Sequence, residues 1–237
     1  MFRTLPLLLK NAMSKSSPLV LETVTKAHRK DLLEFLGKHF LNEESLTKAS
    51  KMDAETWEPC AEQIVDRCSE YPISFLYRDT RTNEIASVGL SSIWTKPDPN
   101  APKELDFEFG TEGADERQVA VQEIVNKLHD QFFKLKPEFD KVLHFELVAV
   151  KPEHKRKGHY MDYLKIKEDI KYGIQAMAAE TTSIGTQLGA EKMNYNFVTE
   201  EKLSDYKDKD GKQLLVCDDG METVKLFYTT CEEKKKE

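Results

Sequence analysis

Residues 147–164 read LVAVKPEHKRKGHYMDYL. An apolar run from Leu147 to Val150 stops at Pro152. Lys151, Lys155, Arg156 and Lys157 then crowd around a single acid, Glu153, ahead of Gly158 and the start of a helical pattern. The first turn of a helix leaves backbone N–H groups without partners and carries the positive end of the helix dipole. A phosphate docks at such a start. The cations at 155–157 add attraction, and a glycine at 158 lets the backbone approach a diphosphate with no Cβ in the way. A solvated, charged turn before a helix fits the same composition. Upstream in the same strand, His144 and Glu146 stand two apart, hence on one face if no bulge intervenes. A carboxylate in so apolar a strand is expected to have a raised pKa, which suits a general base. A structural ion pair is the equally open reading. His154 and His159 flank the cationic turn and read as phosphate-proximal or surface residues.

The elements that must position these groups follow from periodicity. The stretch 19–25 alternates and is β-branched, so it reads as a strand. Leu32, Leu33, Phe35, Leu36 and Phe40 recur at helical spacing over 26–40. A second helical stretch runs to about Cys68 with Asp53 as its cap. Strands are expected at 72–79 and 83–95, joined by the turn residues Thr80 to Asn83. A loop at 96–102 and an irregular region up to Gly113 precede a strong amphipathic helix over 115–135, with Val119, Ile124, Leu128 and Phe132 among its apolar positions. The run 142–150 has few polar residues, as a central strand does. A helix over 158–178, a short strand at 178–183 and a short helix to about Met193 follow. Strands at 195–203 and 222–230 close the chain, with a polar, turn-rich loop at 205–212 between them. Mixed hairpins and crossovers imply an α/β chain with one mixed sheet and helices on both faces.

The 237 residues suit one domain, expected over 18–231, between a flexible arm at 1–17 and a charged tail at 232–237. Lys and Arg total 35 against 42 Asp and Glu, a net charge of −7. That balance argues against nonspecific nucleic-acid binding, which rests on surplus cations. No apolar run of the length needed to span a bilayer is present. Cys60, Cys68, Cys217 and Cys231 form no C-x-x-C pair, so a zinc site is not expected and free thiols in a reducing compartment are. The first residues carry Arg3, Lys10 and Lys15 and no acid before Glu22. A disordered arm on a cytoplasmic protein and a mitochondrial presequence both fit them.

The stretch VKPEHKRKGHYMDYL resembles the cofactor motif of the GNAT superfamily of acetyl-CoA-dependent N-acetyltransferases. That motif is a strand ending in Val, a Pro, then Arg/Gln-x-x-Gly-x-Gly/Ala opening a helix. Val150, Pro152 and Gly158 fit. Lys155 stands where Arg or Gln is usual. Tyr160 stands where Gly or Ala is usual, so its ring must turn away from the pyrophosphate or crowd it. EFLGKHFLNEESL (34–46) resembles the N-terminal helix and turn of the arylalkylamine N-acetyltransferase-like branch. EKMNYNFVTEEKLSDYKDKDGK (191–212) is similar to that branch's EKLGF, strand and DYKDEDGK loop.

The resemblance implies the GNAT fold, with a mixed, mostly antiparallel sheet of six to seven strands. It implies acetyl transfer to a small primary amine, an arylalkylamine among the candidates, by direct attack in a ternary complex with acetyl-CoA and no metal. Cofactor contacts would come from Leu147, Val148 and Val150 on the strand and from Lys155, Arg156, Lys157, Gly158, His159 and Tyr160 at the turn. Backbone N–H groups near Leu147 to Val150 would meet the carbonyl oxygen. Glu44 occupies the branch's acidic position before Pro-Leu, with Ser45 replacing the Pro, and is the first choice of base. Glu43 is its near rival, and Glu146 and His144 stand behind them. The tyrosine that many members carry four residues before a Gly is absent: Asn194 holds the Gly position and Ala190 the tyrosine's. Thr182, Ser183 and Thr186 match the branch's hydroxyl-bearing segment, though Ser183 is also an ordinary helix cap. Phe40, Trp57, Tyr71 and Trp94 fit an amine pocket or plain core. A catalytically weak or inactive member that holds CoA or a partner is the alternative, motivated by Tyr160, Ala190 and Ser45.

Overall fold

A computed structural model of the chain describes residues 18–97, 115–165 and 172–231. The expected arm at 1–17, most of the loop at 96–102, the irregular stretch to Gly113 and the tail at 232–237 lie outside the described residues. Strands β1 (Leu19–Thr23), β2 (Phe75–Asp79), β3 (Glu84–Thr95), β4 (Lys141–Val150), β5 (Ala176–Thr181), β6 (Asn196–Lys202) and β7 (Thr223–Thr230) form one sheet in the order β1-β2-β3-β4-β5-β7-β6. Helices α1 (Arg29–His39), α2 (Ser45–Ala49), α3 (Ala54–Cys68) and α4 (Glu116–Leu135) share one hydrophobic cluster with the sheet; α5 (His159–Lys165) and α6 (Ile184–Lys192) belong to a second one. The caps follow the sequence: Asp53 accepts from the Thr56 N–H, and Asp115 from the Arg117 N–H. Among the described residues no helix is long and apolar enough to cross a membrane.

Two expectations need correction. The helix expected over 158–178 does not reach its end. Tyr172 and Gly173 have φ of 88° and 68°, which no helix accepts, and Ala176 already pairs in β5. The strand is therefore Ala176–Thr181 and not 178–183; residues 166–171 lie outside the described set. The five-residue α2 was not expected, being too short to show a period.

Strand β4 explains the site. Its antiparallel pairing with β3 runs from Thr95↔Lys141 to Ser87↔Val150, but the register shifts between Leu90↔Leu147 and Ser91↔Phe145. Glu146 is the extra residue of this bulge. Side-chain alternation changes phase there: Val142 packs with the α1–α4 cluster and Leu143 and Phe145 with the other, whereas beyond Glu146 it is Leu147 and Ala149 that join the α1–α4 side. On its other edge β4 runs parallel to β5, and the two pair only over Val142–His144 with Ala176–Ala178. From Phe145 onward the strands have no ladder between them. The cleft-facing backbone groups of β4 thus have no partner in β5.

Candidate active site

The gap between β4 and β5 opens into a cleft of about 440 Å³. One wall is β4 itself, from Phe145 to Val150. Facing it are Glu180 and Thr182 at the end of β5, the start of α6, and the turn carrying Glu43, Glu44 and Ser45. Glu44 caps α2, its carboxylate accepting from the Leu46 N–H at 3.2 Å and the Thr47 N–H at 2.7 Å. Burial pushes its pKa up, only partly offset by those N–H groups and by the Thr182 hydroxyl beside it. Glu43 points to the cleft mouth, where Lys155 Nζ lies 2.6 Å away and holds its pKa down. The pKa values of the two neighbouring carboxylates are thus pushed in opposite directions, and Glu44, the one raised, is the better suited to accept a proton from an amine.

Across the cleft, Ser183 caps α6 by accepting from the Thr186 N–H. The Thr186 hydroxyl returns to the Ser183 backbone, accepting from its N–H and donating to its carbonyl. Both side chains therefore serve the helix end, while Thr182 faces Glu44. Asn194 sits at φ 55°, the left-handed conformation expected of a residue in the Gly position at a helix end.

The cationic turn has the shape an anion needs. Arg156 and Gly158 take positive φ, 61° and 90°. A Cβ at 158 would meet no atom within 4 Å, so it is the backbone angle that calls for glycine there. Among the described residues the N–H groups of Arg156 to Met161 meet no protein acceptor; the first helical bond is Asp162 N–H to Gly158 O at 2.9 Å. Lys155 lines the cleft, Arg156 and Lys157 are exposed, and His159 turns the other way, buried with Nδ1 2.5 Å from Ser87 Oγ. The histidine side chain anchors the helix start, leaving only its backbone to the turn.

The Tyr160 ring leans onto α6, its hydroxyl 3.4 Å from the Thr186 carbonyl. It is accommodated by Gly189: a Cβ there would sit 2.3 Å from the ring. Tyr at 160 and Gly at 189 form a matched pair. Alanine at 189 would gain about 1 kcal/mol of helix propensity but overpack the ring, costing about 1–3 kcal/mol. Gly189→Ala is therefore expected to lower the melting temperature of the parent but not that of a Tyr160→Ala background, where the ring is gone. A Gly189→Ala variant as stable as the parent would mean the ring has room to move.

A buried charge network reaches the cleft wall at Glu146 and Glu180. Arg67 from α3 donates to both oxygens of Glu146, at 2.8 and 2.9 Å. His144 Nε2 is 2.6 Å from Glu180 Oε2, and its Nδ1 is 3.5 Å from Glu146 Oε1. Trp94 stacks on the imidazole at 3.7 Å. Burial alone would lower the His144 pKa, but Glu180 and Glu146 outweigh it and hold it at about 10. Burial would likewise raise Glu146, yet His144 and Arg67 pull it well below the carboxylate range. The raised pKa expected of Glu146 is thus reversed, by His144 first and by Arg67, from a helix 79 residues away, second. Glu180 Oε1 is buried without a hydrogen bond. Beside this network is a side cavity of about 100 Å³, where Phe40 and Trp57 stack 5.2 Å apart among Met52, Ile64 and Val121, with Glu44 and Glu180 on the wall shared with the cleft. Tyr71 is exposed and packs edge-on to Tyr172, away from it.

The cleft therefore gathers Glu44, Glu146, Thr182, Ser183, Thr186, Leu147, Val148, Val150, Lys155 and Tyr160, and leaves Arg156, Lys157, Gly158 and His159 out of its lining. Sequence reasoning missed Glu180, Arg67 and Asp219. Glu180 had a signal, as the lone charge in AMAAET. Arg67 and Asp219 had none, since both meet their partners only through the fold.

No protein-family model matches the sequence, and no curated protein matches it. Solved structures do match in three dimensions. Arylalkylamine N-acetyltransferase 2 from Aedes aegypti has a TM-score of 0.74 at 20% identity, covering 90% of this chain and 99% of its own. The Drosophila melanogaster polyamine N-acetyltransferase, which catalyses the formation of N-acetylagmatine, has a TM-score of 0.67 at 15% identity with the same coverage. The C-terminal condensation domain of Ebony, solved with β-alanyl-dopamine, has a TM-score of 0.67 at 15% identity, covering 90% of this chain and 98% of its own. The chain has the GNAT fold these proteins share, and at such identities the likeness carries the fold and no more.

Proposed function

We propose that the chain is an acetyl-CoA-dependent N-acetyltransferase that acetylates a small primary amine, an arylalkylamine foremost, by direct attack in a ternary complex. The observation that carries this reading is the placement of Glu44: a carboxylate with a raised pKa faces β4 where β4 has parted from β5. The residues present fit the cosubstrate. The unpartnered N–H groups of 156–161, with Lys155, Arg156 and Lys157, suit its diphosphate. The parted strands offer its pantetheine arm backbone groups that no ladder uses. Acetyl-CoA supplies an acyl group activated as a thioester.

The chain's own residues do the rest. The side cavity, apolar around Phe40 and Trp57 and acidic at its cleft end, suits an amine with a compact apolar body. Glu44 takes the proton of the ammonium and leaves the nitrogen lone pair free to attack. Backbone N–H groups of Leu147 to Val150 that face the cleft donate to the carbonyl oxygen as charge builds on it. Thr182, beside Glu44, is the hydroxyl available to the leaving thiolate; Ser183 and Thr186 are committed to the helix cap.

A second reading has a specific observation behind it. With Ala190 lacking a hydroxyl and two hydroxyls capped, a protein that binds CoA without turnover is also consistent. Thiol release from acetyl-CoA, measured across a panel of arylalkylamines, polyamines and amino acids, separates the two. Saturable, amine-dependent release supports the transferase. CoA binding with no release from any amine overturns it in favour of the second reading.

A further inference from the structure

The loop between β6 and β7 reaches across the cleft. Asp219 Oδ2 accepts from the Ser45 hydroxyl at 2.8 Å and from the Ile184 N–H at 2.8 Å, while Oδ1 accepts from the Met221 N–H at 3.1 Å. Ser45 is the first residue of α2 and the neighbour of Glu44; Ile184 is the first residue of α6. One carboxylate oxygen therefore ties together the two segments that carry the acid–base groups. It does so where β4 and β5 no longer hold each other, so no sheet ladder fixes the distance between those walls. Next to it, Lys48 of α2 pairs with Asp218 at 2.7 Å, a second stitch from the same loop. Among the described residues the Glu44 carboxylate is bound to the N–H groups and the Thr47 side chain of its own helix start and to Thr182. Where it points is set by where the α2 start is held.

We propose that Asp219 is a positioning residue, a strap that holds the Glu44 turn at a fixed distance from the α6 start and so aims Glu44 across the cleft. This rests on the reading of Glu44 as the base, but the strap itself is a property of the protein without ligands. Among the described residues the groups facing Glu44 are the Leu46 and Thr47 amides, the Thr47 and Thr182 side chains, the buried Cys217 thiol, Glu146 and Glu180 on the shared cavity wall and, through Ser45, Asp219. Asp219→Ala removes a charge as well as the strap, so the decisive variant is Ser45→Ala, which cuts the α2 side and changes no charge.

The test has two arms. In the first, the Glu44 carboxyl carbon is titrated by NMR in the unliganded protein, its signal assigned by loss in Glu44→Gln. Loosening the turn admits water to a carboxylate whose pKa is raised by burial, so Ser45→Ala is expected to move the titration toward the ordinary glutamate value. In the second arm, kcat is expected to fall about tenfold in Ser45→Ala and Asp219→Ala, since small misplacements of a reacting group have effects of that order. The KM for acetyl-CoA should stay within about twofold, and Asp219→Asn, which keeps an acceptor oxygen, should recover part of the loss. A Glu44 titration unchanged in Ser45→Ala overturns the strap, whether or not the protein turns over any amine. Absence of turnover in the parent protein rejects the transferase reading and leaves the first arm to decide the strap.

Discussion

Glu44→Gln is expected to lower kcat/KM for acetyl transfer by about 10²–10⁴-fold, the range associated with loss of a general base. The substitution is nearly isosteric. The amide oxygen still accepts from the Thr47 N–H, so the α2 cap is largely kept, and its loss in full would cost only about 1 kcal/mol. Melting temperature and acetyl-CoA affinity should therefore hardly change, which distinguishes lost chemistry from lost structure. The pH profile carries the same information. The Glu44 pKa is raised above its ordinary 4.5, and a base must be deprotonated to work. In the parent protein kcat/KM should fall with decreasing pH, on a limb lying above the ordinary glutamate value, and in Glu44→Gln that limb should vanish. A variant within about threefold of the parent would move the base elsewhere, with Glu180 on the same cleft wall next in line.

The second large effect concerns stability. Arg67→Met is expected to destabilise the fold by about 3 kcal/mol, toward the low end for breaking a buried ion pair because the guanidinium keeps 31% exposure. At about 2–4 °C per kcal/mol for a chain of this size, the melting temperature should fall by roughly 6–12 °C. The cause is Glu146, whose side chain is only 6% exposed and would be left with His144 alone. The pH dependence has a definite sign. His144 is held at about 10 against an ordinary 6.5, so its contribution is complete below pH 6.5 and fades as pH rises through 10. Glu146 is depressed from 4.5, so its contribution is complete above that pH and fades only in strong acid. Both are fully present between about pH 4.5 and 6.5. Chemical denaturation between pH 6 and 10 should show a decline that His144→Gln flattens. A parent protein equally stable across that range would show the imidazole to be neutral where it is buried.

Most of the fold was legible because it rests on local signals. Few polar residues marked β4 as central, Asp53 marked the start of α3, apolar spacing marked α4, and the segments 34–46 and 191–212 kept their order around the cationic turn. What stayed hidden was set by contacts distant in sequence. Periodicity carried the helix after Gly158 past Tyr172, because a left-handed residue that is not glycine leaves no mark in the sequence. The bulge at Glu146 was invisible, since it depends on register with β3. The Glu146 pKa came out opposite to expectation because the charge on His144, set by Glu180 on another strand, and the reach of Arg67 were not visible. Tyr160 looked like an obstruction while its accommodation, Gly189 on another helix, sat 29 residues away. The site was thus readable in its residue types and unreadable in its pairings.

The central claim is that the cleft between β4 and β5, with the N–H groups after Val150, binds acetyl-CoA. Thermal unfolding with and without acetyl-CoA tests it most directly, because a ligand that binds only the folded chain must raise its melting temperature. At about a hundred times its Kd the gain is about 2.7 kcal/mol, or roughly 5–11 °C for a chain of this size. The expected result is a saturable rise of that order with acetyl-CoA. A melting curve unmoved at millimolar acetyl-CoA would contradict the claim and leave the chain with a shared fold alone.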